Sequence, residues 1–539
     1  MKRTVQVGLG VLAVAVAVVA SPGPADLEAG SAAQAPRGGT LRIGSLSDVE
    51  VDPGIGYTSS PWLVSEATCA RLFAYRAEPG ATGASLVPEV VRTYAVADHG
   101  RTYTFELRRS FRFHTGARVT ARTFVDAFNR VAQPRLGSPA MGYLREIVGA
   151  VTVMDGRAAS IDGIQALGPY RLEIRLTRAL PDLPARLSMP FFCPVLAGTP
   201  PTRIDNPAGS GPYYVAERIE NVRVVLKRNR YYGGDRPGNV DEIVWTIGES
   251  LEACQLAVDE DREDFCAEPG VPRTAARALA ARYGINRPGG RLFVNPKSGT
   301  WFFAFNRMRP AFKGPGQIPL AKAINYAVDR HALAGTFAPL SARRTDQLLP
   351  PALARPASIY PLGGADPTAA RRWYGRAQLK PTRLVLYTWN FPHTVEQAGI
   401  LAFDLEQLGI DLEVKYFDPD VVAERSRRPG EPFDLVMIPW GPDYLDGAGF
   451  FMPLVDADGP YGRVLDDARL RQGVAAANRL TGEARRRAWA DLDVELMRND
   501  PPGVPIAHTQ RIFFVSKSLG CFVPHPMVGV EITQLCKKP

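Results

Sequence analysis

The chain has 539 residues, 45% of them hydrophobic, with 64 Lys and Arg against 55 Asp and Glu for a net charge of +9. That apolar fraction excludes wholesale disorder and fibrous or low-complexity scaffolds, and the length allows three or four structural units with real cores. Ten of the basic residues are Lys and 54 are Arg, yet no dense basic block with interleaved aromatics occurs, so nucleic acid is not an expected partner.

The first twenty residues read as an export signal. Lys2 and Arg3 precede an apolar run from Val5 to Ala20, which ends on small residues suited to cleavage before Ser21. The run is long for a signal and short for a membrane span, so an uncleaved N-terminal tether is the alternative. Residues 21–36 follow as a disordered leader. The expected location is periplasmic or extracellular. In an exported chain, six cysteines permit disulfides. Cys254 and Cys266 are close in sequence, as are Cys521 and Cys536, which leaves Cys69 for Cys193. Fifteen pairings are open, with buried free thiols as the alternative.

The mature part opens with a strand at 40–44, a turn at Asp52-Pro53-Gly54 and a helical pattern over 61–75. Residues 103–108 alternate inward and outward as a half-buried strand does, and a helix beginning at Thr120 runs to Val131. Further strands are expected at 170–176, 222–228, 243–247, 384–387, 411–416 and 434–438. Helices are expected at 319–329, 396–408 and 483–497. Strands alternating with helices throughout predict an α/β fold.

Several blocks in this order resemble a known family. They begin with Leu86-Val87-Pro88-Glu89-Val90 and Asp98-His99-Gly100-Arg101-Thr102-Tyr103-Thr104-Phe105-Glu106-Leu107-Arg108, which runs on to Phe113-His114-Thr115-Gly116 and Val119-Thr120-Ala121. Gly209-Ser210-Gly211-Pro212-Tyr213 and Asn229-Arg230-Tyr231-Tyr232 follow. Asn306, Arg309, Pro310 and Phe312 then precede Ala323 to Arg330, and Arg487-Ala488-Trp489 and Pro501 to Ile506 close the series. Over residues 37–535 the chain is similar to the extracellular solute-binding proteins of the oligopeptide, dipeptide and nickel class of ABC importers (family 5). It departs from the pattern at His99, Thr115, Thr123 and Asp446-Gly447.

The resemblance implies a bilobed, periplasmic-binding-protein-like fold of type II, in the large three-domain variant. Lobe I would span 37–297 with an inserted subdomain at about 76–189. Lobe II would span 298–498, and 499–539 would return to lobe I, the two crossovers acting as hinges. Expected partners are a small peptide or other small solute and the membrane permease of an ABC importer; the protein would be a monomer with no cofactor and no metal. The alternative is the same fold binding a non-peptide solute, such as a metal chelate or a sugar.

The sharpest site feature is Trp440-Gly441-Pro442-Asp443-Tyr444, directly after the strand at 434–438. Ligands of open α/β sheets bind beyond the carboxyl ends of strands. A carboxylate buried there needs a cation, and the resemblance gives Asp443 the peptide's α-ammonium, with Trp440 beside the ligand. By the same strand-end argument Tyr57, Trp62, Trp389 and Asn390 are candidate walls. Enzyme readings are weak. Gly209-Ser210-Gly211 is not G-x-S-x-G, no two His stand at H-x-x-x-H spacing, and no P-loop occurs. A secreted hydrolase is the reading from another class, and no catalytic residue is assigned.

Overall fold

The computed structural model describes residues 36–539 apart from 249, 269, 456–460, 462, 463, 466 and 467. The expected export signal (1–20) and all but the last residue of the leader (21–36) therefore lie outside the described residues. No described helix is long and apolar enough to cross a membrane.

A five-stranded mixed sheet gathers both ends of the described chain. Thr40–Ser45 runs parallel to Glu242–Ile247 and to the short Phe265–Cys266, and Arg223–Arg228 and Tyr213–Ile219 complete the sheet antiparallel. Alternation in the first strand pairs Leu41 with Ile243 and Ile43 with Trp245. These side chains bury against Tyr213 and, from the far end of the chain, Phe513, Val530 and Ile532.

A four-stranded antiparallel sheet is built from residues 91–175, in the order Val91–Ala97, Thr102–Leu107, Arg171–Arg175, Ile164–Gly168. The second of these strands buries Tyr103, Phe105 and Leu107 and leaves Thr102, Thr104 and Glu106 partly open, as its alternation requires. Helix Ala121–Ala132 lays Phe124 and Phe128 onto the same core. Thr123 Oγ1 accepts the Thr120 amide at 3.2 Å and donates to the Thr120 carbonyl at 2.7 Å, so a threonine closes the helix start.

The helix expected over 61–75 is shorter, Ser59–Thr68, and Phe73–Tyr75 is a strand. Tertiary partners end it. Cys69 turns extended and is bonded to Cys193 with 5.7 Å between Cα atoms, and Ser210 Oγ takes the Ala70 amide at 3.0 Å. Cys254 is bonded to Cys266 and Cys521 to Cys536, with Cα atoms 6.1 and 5.4 Å apart.

The third sheet has six strands, in the order Ala342–Arg344, Gly503–Phe514, Leu292–Phe305, Leu435–Trp440, Arg383–Trp389, Asp411–Phe417. Both faces are covered. Phe303, Phe305, Leu435 and Met437 pack under helices Ile318–Ala327 and Pro392–Glu406, while Phe302, Ala304, Val436 and Ile438 face Gly447–Val455 and Gly482–Asn499. Burial on both sides explains why 435–438 reads as an unbroken apolar run. The helix expected to 329 ends at Ala327, and Asp329 caps the next one, accepting the amides of His331 and Ala332.

Leu292–Phe305 and Gly503–Phe514 pair antiparallel and reach from one core to the other. Leu292, Val294, Ile512 and Phe514 pack with helices Leu251–Asp259 and Ala276–Tyr283, whereas Phe303, Phe305, Val504 and Ile506 belong to the six-stranded layer. Their ladder breaks between Pro296 and Thr300, where four steps on one strand oppose two on the other. Such an irregularity bends a strand and re-aims its side chains.

Candidate functional site

At that break lies a cavity of about 410 Å³. Its walls come from five places: Met527 and Val528, Thr509 and Arg511 on Gly503–Phe514, Tyr57 and Trp62 at the first helix, 297–301 on the broken strand, and 439–443 at the end of Leu435–Trp440. Strand register brings the last two together, because Thr300 pairs with Trp440 and Trp301 with Pro439. Gly441 is required by this approach: a Cβ there would stand 2.4 Å from the Ser298 carbonyl oxygen. Trp440 is held by its indole N–H, which donates to the Phe450 carbonyl at 2.9 Å.

Asp443 stands half-buried in this wall. Tyr57 donates its hydroxyl to the two carboxylate oxygens at 2.8 and 3.0 Å, and Tyr143 donates to Oδ2. Among the described residues no Lys, Arg or His nitrogen lies within 4.0 Å of it, since every such pair found involves another carboxylate. Burial pushes the Asp443 carboxyl above its ordinary range, and the two hydroxyls pull it back only in part. The nearby floor offers no relief. Arg71 is engaged by Glu66 at 2.7 Å, and burial drives His525 down to about 4, leaving it neutral near pH 7. What this wall presents is therefore a carboxylate with hydrogen bonds and, among the described residues, no cation within 4.0 Å, a state in which a cationic ligand gains.

The residues that follow tie the two sheet systems together. The Tyr444 hydroxyl donates to Asp182 at 2.6 Å, the Leu445 amide donates to the Tyr75 hydroxyl at 2.7 Å, and Arg485 grips Asp446 through two bonds of 2.8 Å. Gly447 lets the Trp489 ring approach the backbone, because a Cβ there would clash with the indole.

Of the residues singled out from sequence, Tyr57, Trp62, Trp440, Gly441 and Asp443 line one cavity. Trp389 and Asn390 stand outside it. Trp389 packs edge-on behind Trp301 at 5.6 Å, and Asn390 is exposed. Strand order is the reason: Arg383–Trp389 lies one strand further out than Leu435–Trp440. The sequence reading missed Tyr143, 300 positions from its partner Asp443, and Lys297, Thr509 and Arg511 on the crossing strands. No local signal marks them, because Pro296 and Gly299 interrupt the alternation that would have announced the first crossing strand.

The family model described as bacterial extracellular solute-binding proteins, family 5 Middle, matches residues 85–462. The periplasmic murein peptide-binding protein MppA of Escherichia coli K12 is 24% identical over 420 residues, covering 73% of this chain and 76% of that relative. The dipeptide-binding protein of Pseudomonas aeruginosa is 20% identical over 493 residues, covering 86% and 88%. Among solved structures, the clavulanic acid biosynthesis oligopeptide binding protein 2 superposes with a TM-score of 0.81 at 24% identity, covering 94% of this chain and 96% of that one. The likeness shows the bilobed α/β fold.

Proposed function

The chain belongs to the bacterial extracellular solute-binding proteins of family 5, and on that premise we propose that it captures a peptide-like solute by its free ammonium and delivers it to the permease of an ABC importer. Asp443 supplies the counter-charge, Trp440 and Trp62 the apolar walls, and Tyr57 and Tyr143 keep the carboxylate oriented. In this reading lobe I is 37–297 with 499–539, lobe II is 298–498, and about 76–189 is an insertion in the first. The paired strands Leu292–Phe305 and Gly503–Phe514 act as the hinge. A ligand touching both lobes favours the closed form by its contacts there and needs no covalent step. The protein works as an exported monomer.

One observation carries the reading: a half-buried carboxylate in a cavity wall, hydrogen-bonded by two tyrosines and with no cation within 4.0 Å among the described residues. Titration calorimetry with dialanine and N-acetyl-dialanine tests it. N-acetylation and Asp443→Ala should each weaken dialanine binding by about 30-fold or more, corresponding to about 2 kcal/mol. In Asp443→Ala the two ligands should bind alike. Equal affinity of both ligands for the unmodified protein would retire the ammonium anchor.

A further inference from the structure

The same cavity is lined by two cations, Lys297 and Arg511, that have no carboxylate within 4.0 Å among the described residues. Arg511 is 7% exposed; its Nη1 donates to the Met527 carbonyl at 2.7 Å, and its Nε has no partner. Other buried arginines are answered. Arg130, Arg186, Arg307 and Arg485 each meet an Asp within 3.0 Å. Arg330, which pairs with no carboxylate, has three neutral oxygens instead, from Pro505 and Asn325. Arg511 has one.

The backbone is shaped to hold that guanidinium in place. Gly529 sits at φ 92°, and a Cβ there would come within 3.0 Å of Arg511 Cδ and 3.1 Å of Nη1. Lys297 projects from the break in the crossing strand into the same cavity, and it too has no carboxylate within 4.0 Å among the described residues. Burial brings Arg511 down to about 10, and burial with the charge of Arg511 lowers Lys297. Neither cation forms an ion pair with Asp443 within 4.0 Å. Lys297 is exposed, whereas Arg511 is buried, and a buried charge without a counter-ion is costly; its fixed guanidinium presents a fork suited to a carboxylate.

We infer that Lys297 and Arg511 receive a carboxylate of the cargo, so that the cavity selects a short acidic peptide with free termini, carrying one ammonium and two carboxylates. The charge count supports this class. The lining holds one carboxylate, Asp443, and two cations, which a ligand of net charge −1 balances. The inference rests on the ammonium reading above, and the test separates the two.

Titration calorimetry of the purified protein would use alanyl-glutamate, dialanine, dialanine amide and N-acetyl-dialanine. Alanyl-glutamate should bind about tenfold tighter than dialanine, and dialanine amide about tenfold weaker. Lys297→Met should shrink both ratios to about threefold or less while keeping the penalty for N-acetylation. Arg511→Lys retains the charge and loses the fork, so it should shrink the amide ratio in part. If amidation and the extra carboxylate change nothing while N-acetylation still weakens binding, the carboxylate receptor is overturned and the ammonium anchor stands. If N-acetylation costs nothing while amidation does, the ammonium anchor fails and the receptor stands alone. Ratios unchanged in both variants would overturn the assignment to Lys297 and Arg511, and binding of none of the four probes would overturn both readings.

Discussion

Two cavities share the segment 439–447: residues 439–443 line one of about 410 Å³, and 445–447 line another of about 730 Å³ against helix Gly482–Asn499. In the larger one the carboxylates are paired. Asp182 meets Arg186 at 3.0 Å, Asp446 meets Arg485 at 2.8 Å, and Glu483 meets Arg487 at 3.0 Å. In the smaller one, among the described residues, neither Asp443 nor Lys297 nor Arg511 has an oppositely charged side chain within 4.0 Å. The contrast is sharpest between neighbours in space. Burial pushes both Asp182 and Asp443 up, but Arg186 and the Tyr444 hydroxyl hold Asp182 below the ordinary carboxylate range, whereas Asp443 stays above it. A paired buried charge serves the fold; an unpaired one in a cavity wall is a vacancy for a ligand's charge. Volume alone would have chosen the other cavity.

Replacing each carboxylate in turn should break that contrast in opposite ways. Asp182→Ala leaves Arg186 buried beside only Glu146, and should cost about 3–5 kcal/mol of stability in denaturant titration. Its preference for dialanine over N-acetyl-dialanine should survive. Asp443→Ala should abolish that preference at a small cost in stability, because Tyr57 and Tyr143 lose their acceptor while no cation within 4.0 Å among the described residues loses a counter-charge. Severing the covalent tie behind the cavity, by Cys69→Ser with Cys193→Ser, should cost about 2–5 kcal/mol, since the bond closes a loop 124 residues apart in sequence. A large affinity loss in Asp182→Ala with unchanged stability would reverse the roles assigned here.

The floor below the cavity gives a smaller effect with a defined sign. Burial raises Glu531 from 4.5 to about 8, helped by the nearby Glu66 charge. A raised carboxyl means that the folded state holds its proton more tightly than the unfolded one. Its contribution is fully present below about pH 4.5 and is lost as pH rises to about 8. Glu531→Gln should therefore flatten the fall in melting temperature across that window. Smallest of all, the bound cargo should raise the melting temperature with its concentration, following RT ln(1 + [L]/Kd). No shift with any short peptide would count against the peptide reading.

Local pattern was enough for much of this. The alternation of Tyr103, Phe105 and Leu107, the apolar run before Trp440, and the Gly-Pro break ahead of Asp443 all carry their structure within a few residues. Family blocks in chain order then led to the bilobed α/β fold and to Asp443. Local pattern did not carry the end of the first helix, which a disulfide to Cys193 and a bond from Ser210 decide. Nor did it reach Tyr143, Lys297 and Arg511. Their chemistry depends on which charges lie within 4 Å of them and which do not, and that is set by partners dozens to hundreds of positions away. A sequence displays which ionisable groups a protein has; only the packed structure decides which of them are left without a counter-charge.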